Sequence, residues 1–185
     1  MSQRIIISTC GFSNSNDKQF VEECIQWTFD FHKISIRQIL REIVDSIFHW
    51  DSSDGLSTIN SVSSSILNIN EFTPAKSIEC TFKMLSEMFG IDVLVKLALI
   101  RYSKYNRLLI TDCLLIDDIK YIKSMGGHLF LIDDSIVGTE GCFETSFFEQ
   151  IEYNLKITRD MSKDTIKNVL LQYHALKDLT FCMMC

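Results

Sequence analysis

A polar turn near the amino terminus has residue types suited to holding a phosphate group. The turn, residues 11–17, reads Gly-Phe-Ser-Asn-Ser-Asn-Asp and joins an apolar run to a helical pattern. In the phosphate-binding pattern G-x-x-x-x-G-K-[ST], backbone amides cradle the phosphate, the lysine neutralises its charge and the hydroxyl holds Mg²⁺. Aligning Gly11 with the first glycine puts Asn16 at the second glycine and Asp17 at the lysine.

The charge at this turn opposes phosphate binding in that alignment. A carboxylate such as Asp17 beside a phosphate is repulsive by roughly 1–4 kcal/mol. Lys18 takes the lysine position only if the loop is one residue longer, and Gln19 then replaces the Mg²⁺-binding hydroxyl. Two interpretations stay open: a rearranged phosphate site that uses Lys18, and a strand-to-helix turn kept for folding.

Asp112 is a second candidate site residue, because it directly follows the predicted strand 107–111, whose apolar part is Leu-Leu-Ile. A carboxylate at the end of a strand can bind a metal ion, cap a helix or pair with a cation. Cys182 and Cys185 have C-x-x-C spacing, but a zinc site would need two more ligands. The four histidines share no ligand spacing. We therefore expect no resident metal site.

Strands and helices alternate along the chain. Apolar runs predict strands over residues 4–8, 34–36, 107–111, 128–132 and 153–157, and residues with helical spacing lie between them. A helix is predicted to begin at Thr73-Pro74 and to end at Gly90. This alternation predicts an α/β fold, with a parallel sheet of about five strands and helices on both faces.

Composition bounds the function. A chain of 185 residues with 46% hydrophobic residues fits one α/β domain, residues 1–185. A net charge of −6 argues against nucleic-acid binding, and no apolar run is long enough to span a membrane. Seven scattered cysteines favour a reducing cytoplasm. The 24 Ile against 3 Ala indicate an AT-rich genome, as in a large DNA virus, a phage or an AT-rich microbe.

Five short stretches follow one another in a recognisable order along the chain. They are Thr73-Pro74, Gly-Ile-Asp-Val-Leu-Val-Lys at 90–96, the strand and aspartate at 108–112, Met-Gly-Gly at 125–127, and the closing strand at 153–157. In this order they resemble the motifs of phage-type deoxynucleoside monophosphate kinases, whose family shares the P-loop kinase fold with the phosphomevalonate kinases of animals. The resemblance implies a single P-loop-kinase-like domain with a phosphate loop at Gly11, Ser13, Ser15 and Asn16. It also implies that Lys18 and Asp112 would be the catalytic residues.

Two cationic positions of that family are missing. Asp17 stands at the lysine position, and Leu114 replaces the arginine two positions after Asp112. We therefore expect a degenerate, catalytically inactive nucleoside monophosphate kinase-like protein that acts as a binding or structural subunit and needs no cofactor. The alternative is a divergent active enzyme that uses ATP and Mg²⁺, with Lys18, Asp112 and Arg101. A nucleotide sensor without turnover is a third interpretation.

The expected partner is another protein or a second copy of the chain. Two segments would be stabilised by burial in an interface: the largely apolar residues 180–185 and a phenylalanine cluster. Full burial of one large apolar side chain contributes roughly 1.5–3 kcal/mol. That cluster consists of Phe143, Phe147 and Phe148. Nucleotide binding stays open, while nucleic acid and membrane are not expected. The expected location is the cytoplasm, or the host cytoplasm or virion for a viral protein.

Residues 51–70 form a Ser- and Asn-rich stretch with the composition of a flexible, lid-like insertion. We predict that hydrogen exchange finds this stretch among the fastest segments of the isolated protein, because its composition favours local opening. Residues 108–112 are the internal reference for a protected strand. If the two segments exchange equally slowly, residues 51–70 belong to the core and are not an insertion.

Overall fold

The computed structural model describes residues 4–11, 16–48, 74–113, 115–133, 152–158, 161–173 and 176. The described residues form five strands: β1 Ile5–Gly11, β2 His32–Ser35, β3 Arg107–Thr111, β4 His128–Asp133 and β5 Leu155–Thr158. They also form six helices: α1 Asn16–Phe29, α2 Ile36–Phe48, α3 Pro74–Phe89, α4 Val93–Arg101, α5 Ile116–Ser124 and α6 Lys163–Gln172. None of the described helices is long and apolar enough to cross a membrane.

The five strands form one parallel sheet in the order β2-β3-β1-β4-β5. In the centre of the sheet, Ile7 of β1 pairs with Leu109 on one side and with His128 on the other. This confirms the predicted α/β class and the parallel sheet of five strands. The predicted strands differ from the observed ones mainly at their ends.

The amino-terminal turn is shorter than predicted. Gly11 is the last residue of β1, where it pairs with Ile132, and α1 already begins at Asn16. The glycine therefore belongs to the sheet, because its backbone continues the ladder with β4. Residues 12–15 between these elements lie outside the described residues, as do the predicted insertion 51–70, the phenylalanine cluster and residues 180–185.

The described residues divide into two compact units. The sheet unit comprises the described residues up to Ile34 and from Tyr102 onward, and the helical unit comprises those from Ser35 to Arg101. In the helical unit, α2, α3 and α4 pack against one another. Val44, Val95 and Ala98 are among the residues fully buried there.

The core of the sheet unit lies on both faces of the sheet. On one face, α1 and α6 cover the strands with a cluster that includes Ile7, Leu109, Ile25 and Ile166. On the other face, α5 contacts β1 and β4 and buries Ile122. Because consecutive side chains of a strand point to opposite faces, the three central strands β1, β3 and β4 supply both layers of the core. This arrangement confirms the prediction of helices on both faces.

Two glycines follow α5, and the structure shows a separate reason for each. Gly126 has a φ of 77°, in the left-handed region that disfavours a side chain. Gly127 donates its N–H to the carbonyl oxygen of Ile122 at 2.9 Å. A Cβ at Gly127 would lie 2.5 Å from Cγ2 of Ile122 and 2.9 Å from its carbonyl oxygen. The second glycine is therefore required by close packing against the helix.

We predict that Gly127→Ala lowers the free energy of unfolding by about 1–3 kcal/mol, because a backbone oxygen stands in the way of the new methyl group. Gly126→Ala is the matched control, since a Cβ there meets nothing within 4 Å. The decrease in the free energy of unfolding for Gly126→Ala should stay near 1 kcal/mol, because only the left-handed backbone conformation opposes the new side chain. Urea unfolding followed by circular dichroism measures both. A larger loss in Gly126→Ala than in Gly127→Ala would contradict the steric explanation.

Candidate functional site

Two of the residues predicted as catalytic contact each other at the carboxyl end of the sheet. Lys18 lies in the first turn of α1 and is 6% exposed. Its Nζ is 3.2 Å from Oδ1 of Asp112, which follows β3, and 3.9 Å from Oε1 of Glu22. The fold therefore brings together a lysine and an aspartate that are 94 positions apart in the chain. Their catalytic role stays a prediction.

Glu22 connects this ion pair to the rest of the sheet. Its Oε1 accepts a hydrogen bond from Oγ1 of Thr9 at 2.9 Å, and its Oε2 lies 2.8 Å from Nζ of Lys33. Thr9 belongs to β1 and Lys33 to β2, so one buried carboxylate links two strands and α1. We call these five residues the carboxyl-edge cluster: Thr9, Lys18, Glu22, Lys33 and Asp112.

Three members of this cluster, Thr9, Glu22 and Lys33, were not predicted from the sequence. Glu22 stands four residues after Lys18, and both lie on the helix stripe that also buries Val21 and Ile25. Charged residues inside an apolar stripe were the signal for a buried pair. Thr9 carried a similar signal, because it lies two residues after Ile7 and therefore faces the same side of the strand.

The backbone at Asp112 has an unusual conformation. Its φ is 63°, in the left-handed region, at the point where the chain leaves β3. Such a conformation is unfavourable by roughly 1–2 kcal/mol for most residues, and less so for aspartate and asparagine. Residues held in this region are concentrated at functional sites and clamps. Here the conformation accompanies the contact between the Asp112 carboxylate and the ammonium of Lys18.

The position of the cluster fits a ligand site of an open parallel sheet. Such sheets bind ligands beyond the carboxyl ends of their strands, where neighbouring strands continue in opposite directions. β1 is followed by a connection to β2, and the neighbouring β3 by a connection to β4 on the other side of β1. The end of β1 and the start of α1 border this position through Gly11 and Asn16. Ser13, Ser15 and Leu114 lie outside the described residues.

The charges of the cluster cancel within it. Two ammonium groups, those of Lys18 and Lys33, stand beside the carboxylates of Glu22 and Asp112. Buried ions are stable only when such partners compensate for their lost hydration. The Lys18 ammonium is therefore already engaged with carboxylates, and an incoming phosphate would have to compete with them.

Two thiols beside the cluster are not nucleophiles at neutral pH. Burial raises the pKa of Cys10 to about 12, although the nearby Lys18 ammonium acts in the opposite direction. Burial also raises the pKa of Cys113, against a smaller opposing effect of the Ser8 hydroxyl. Both thiols therefore remain protonated, and only the thiolate is reactive. Within the described ranges, no group of three or more His, Cys, Asp and Glu side chains is arranged to hold a metal ion.

Comparison with known proteins gives structural neighbours only. No protein-family model matches the sequence, and no curated protein matches it. A sugar kinase from Janibacter sp. is similar over 95% of this chain and 96% of its own, with 10% identity and a TM-score of 0.42. A protein designated a kinase from Chloroflexus aurantiacus is similar over 94% of this chain and 99% of its own, with 10% identity and a TM-score of 0.40. Similarity at this level identifies no function. Any proposal about function therefore has to be argued from the geometry of the carboxyl-edge cluster.

We predict that Glu22→Gln lowers the free energy of unfolding by roughly 2–4 kcal/mol, because the buried Lys18 and the half-buried Lys33 then lose the buried carboxylate that they share. Glu23→Gln is the matched control, since the neighbouring Glu23 carboxylate is exposed and accepts a hydrogen bond from Gln19, one turn earlier on the same helix. Its effect should stay within about 0.5 kcal/mol. Chemical unfolding of both variants gives the comparison, and equal losses would show that the Glu22 contacts do not hold the sheet edge.

Proposed function

We propose that this chain is a degenerate nucleoside monophosphate kinase-like protein that does not transfer phosphate and acts as a binding or structural subunit. One observation carries the proposal: the Lys18 ammonium is buried between the carboxylates of Asp112 and Glu22. Phosphoryl transfer depends on cations aimed at the transferred phosphate. Here the lysine nearest to the strand-to-helix turn is neutralised by the protein itself.

The sequence supports the same conclusion at two further positions. Asp17 stands at the lysine position of the phosphate-binding pattern, and Leu114 stands where the resembled kinases have an arginine. A phosphate at this edge would therefore meet additional negative charge and lack a bidentate cationic partner. An enzyme with these departures would have to supply the missing cations from elsewhere.

A binding role has support in the helical unit. At the end of α3 and just beyond it, Met88 is 65% exposed and Phe89 58% exposed, and Ile91 is exposed as well. Adjacent large apolar side chains at a surface are typical of protein interaction sites. The four described cysteines are free thiols, which supports the proposal of a reducing cytoplasm, that of a cell or of an infected host.

An active kinase is the second candidate function. Its support is the meeting of Lys18 and Asp112 at the edge where parallel sheets bind ligands, together with the left-handed backbone of Asp112. In that case the 3.2 Å contact between the two side chains would be a resting state. Binding of ATP and Mg²⁺ would then separate the two groups, leaving the ammonium to the phosphate and the carboxylate to the metal.

We predict that the purified protein, given ATP, Mg²⁺ and each deoxynucleoside monophosphate, forms no phosphorylated product above background. The Asp112→Asn variant separates the two candidate functions. If the only role of the Asp112 carboxylate is to pair with the Lys18 ammonium, removing its charge makes the ammonium more available to phosphate. The affinity for ATP, measured by calorimetry, should then rise by about tenfold, the value of one charged contact. If Asp112 serves catalysis, wild-type turnover exists and this variant loses it.

Turnover that disappears in Lys18→Ala but persists in Lys120→Ala would overturn the proposal. Lys120 is a suitable control, because its side chain is 72% exposed on α5. Circular dichroism of Lys18→Ala establishes that the loss of turnover is not a loss of folding.

A further inference from the structure

The sheet unit has a cavity on the side of the sheet where β2 and β3 begin, away from Lys18 and Asp112. Its volume is about 570 Å³, which is within the range of small-molecule sites. It is lined by the last turns of α1 and by the amino ends of β2 and β3, including His32 and Arg107. The five residues of β3 separate its two ends by roughly 15 Å. We call this space the amino-edge cavity.

One wall of the amino-edge cavity is aromatic. Trp27 of α1 leaves 75% of its surface exposed, although tryptophan is normally well covered in folded proteins. His32 and Tyr105 stack with ring centroids 3.9 Å apart and planes within 3°. Burial and the nearby Lys104 lower the pKa of His32, so the imidazole of this stack is uncharged at neutral pH. The cavity thus offers flat surfaces of the kind on which another aromatic ring stacks.

The same cavity carries two cations. Nζ of Lys104 lies 5.0 Å from the centre of the Tyr105 ring. Arg107 donates an N–H from Nη1 to the carbonyl oxygen of Phe29 at 3.0 Å, which fixes the guanidinium at the base of β3. A guanidinium has five such donors, so one bond leaves the group able to bind an anion. Asp30 contributes a single carboxylate among the lining residues, so the cations outnumber it.

We propose that the amino-edge cavity binds a small ligand in which a planar aromatic ring carries a phosphate, the chemistry of a mononucleotide. The ring stacks on Trp27, and the phosphate pairs with Lys104 and Arg107. A long polyanion is not the ligand, because the chain has a net charge of −6. The site is independent of the proposed function, since none of its lining residues belongs to the carboxyl-edge cluster.

Tryptophan fluorescence tests this proposal directly. The chain has two tryptophans, so Trp50→Phe leaves Trp27 as the only reporter. Titration with dTMP should quench its emission saturably, whereas thymidine and inorganic phosphate, which each lack one of the two recognised groups, should bind more weakly. In the same background, Lys104→Gln should weaken dTMP binding by about tenfold. Lys120→Gln removes an exposed charge from α5 and should leave the binding curve unchanged.

Calorimetry on the otherwise unchanged chain and on Lys104→Gln gives the same comparison without the Trp50 substitution. Absence of saturable binding at millimolar dTMP in both assays would overturn the proposal. It would also be overturned by binding that Lys104→Gln leaves intact. Binding that is lost in Lys18→Ala but retained in Lys104→Gln would place the nucleotide at the carboxyl edge, and the amino-edge site would again be wrong.

Discussion

The arrangement of the sheet unit depends on the buried Glu22 side chain, whose two oxygens contact residues from three different elements. The Glu22 carboxylate accepts a hydrogen bond from the hydroxyl of Thr9 in β1 and pairs with the ammonium of Lys33 in β2. It also lies beside the ammonium of Lys18, which pairs with Asp112, the residue that follows β3. A second polar contact, from Oγ1 of Thr111 to the carbonyl oxygen of Ile34, also joins β3 to β2. Apolar packing holds the middle of the sheet, while these polar contacts join β1, β2 and the carboxyl end of β3 to α1 and to one another.

These contacts limit what Lys18 can do. The buried ammonium of Lys18 stabilises the fold through its contacts with two carboxylates. A phosphate ligand would have to replace those same contacts. Stability and anion binding therefore compete for one charged group. In a protein that relies on this lysine for phosphate, the fold must be held by other contacts at the same edge. Here Glu22 and Asp112 make the lysine part of the structure.

Much of the architecture could be predicted from local patterns. Apolar runs indicated the strands, and Pro74 at the first position of α3 with Gly90 after its end marked that helix. The left-handed φ of 95° at Gly90 shows why the helix stops there. The ends of the amino-terminal turn were predicted less accurately. Gly11 continues β1 because its backbone pairs with Ile132 of β4, and no local sequence pattern encodes that pairing.

The candidate site was harder to predict for the same physical reason. Lys18 and Asp112 were identified as separate residues, but their contact depends on β3 lying next to β1, a property of long-range pairing. Glu22 and Lys33 were missed because charged residues are normally assigned to the surface. The burial of the Glu22 carboxylate becomes predictable only when the neighbours that compensate its charge, Lys18 and Lys33, are known.

The left-handed backbone of Asp112 also bears on how this position can change over generations. Glycine adopts that conformation freely, and asparagine resembles aspartate in tolerating it, whereas other side chains would add backbone strain to the lost charge. A single base change in an aspartate codon reaches either asparagine or glycine. The carboxylate facing Lys18 is therefore one mutation away from two uncharged replacements that the backbone accepts, so drift at this position would remove one of the two carboxylates beside the lysine without straining the backbone.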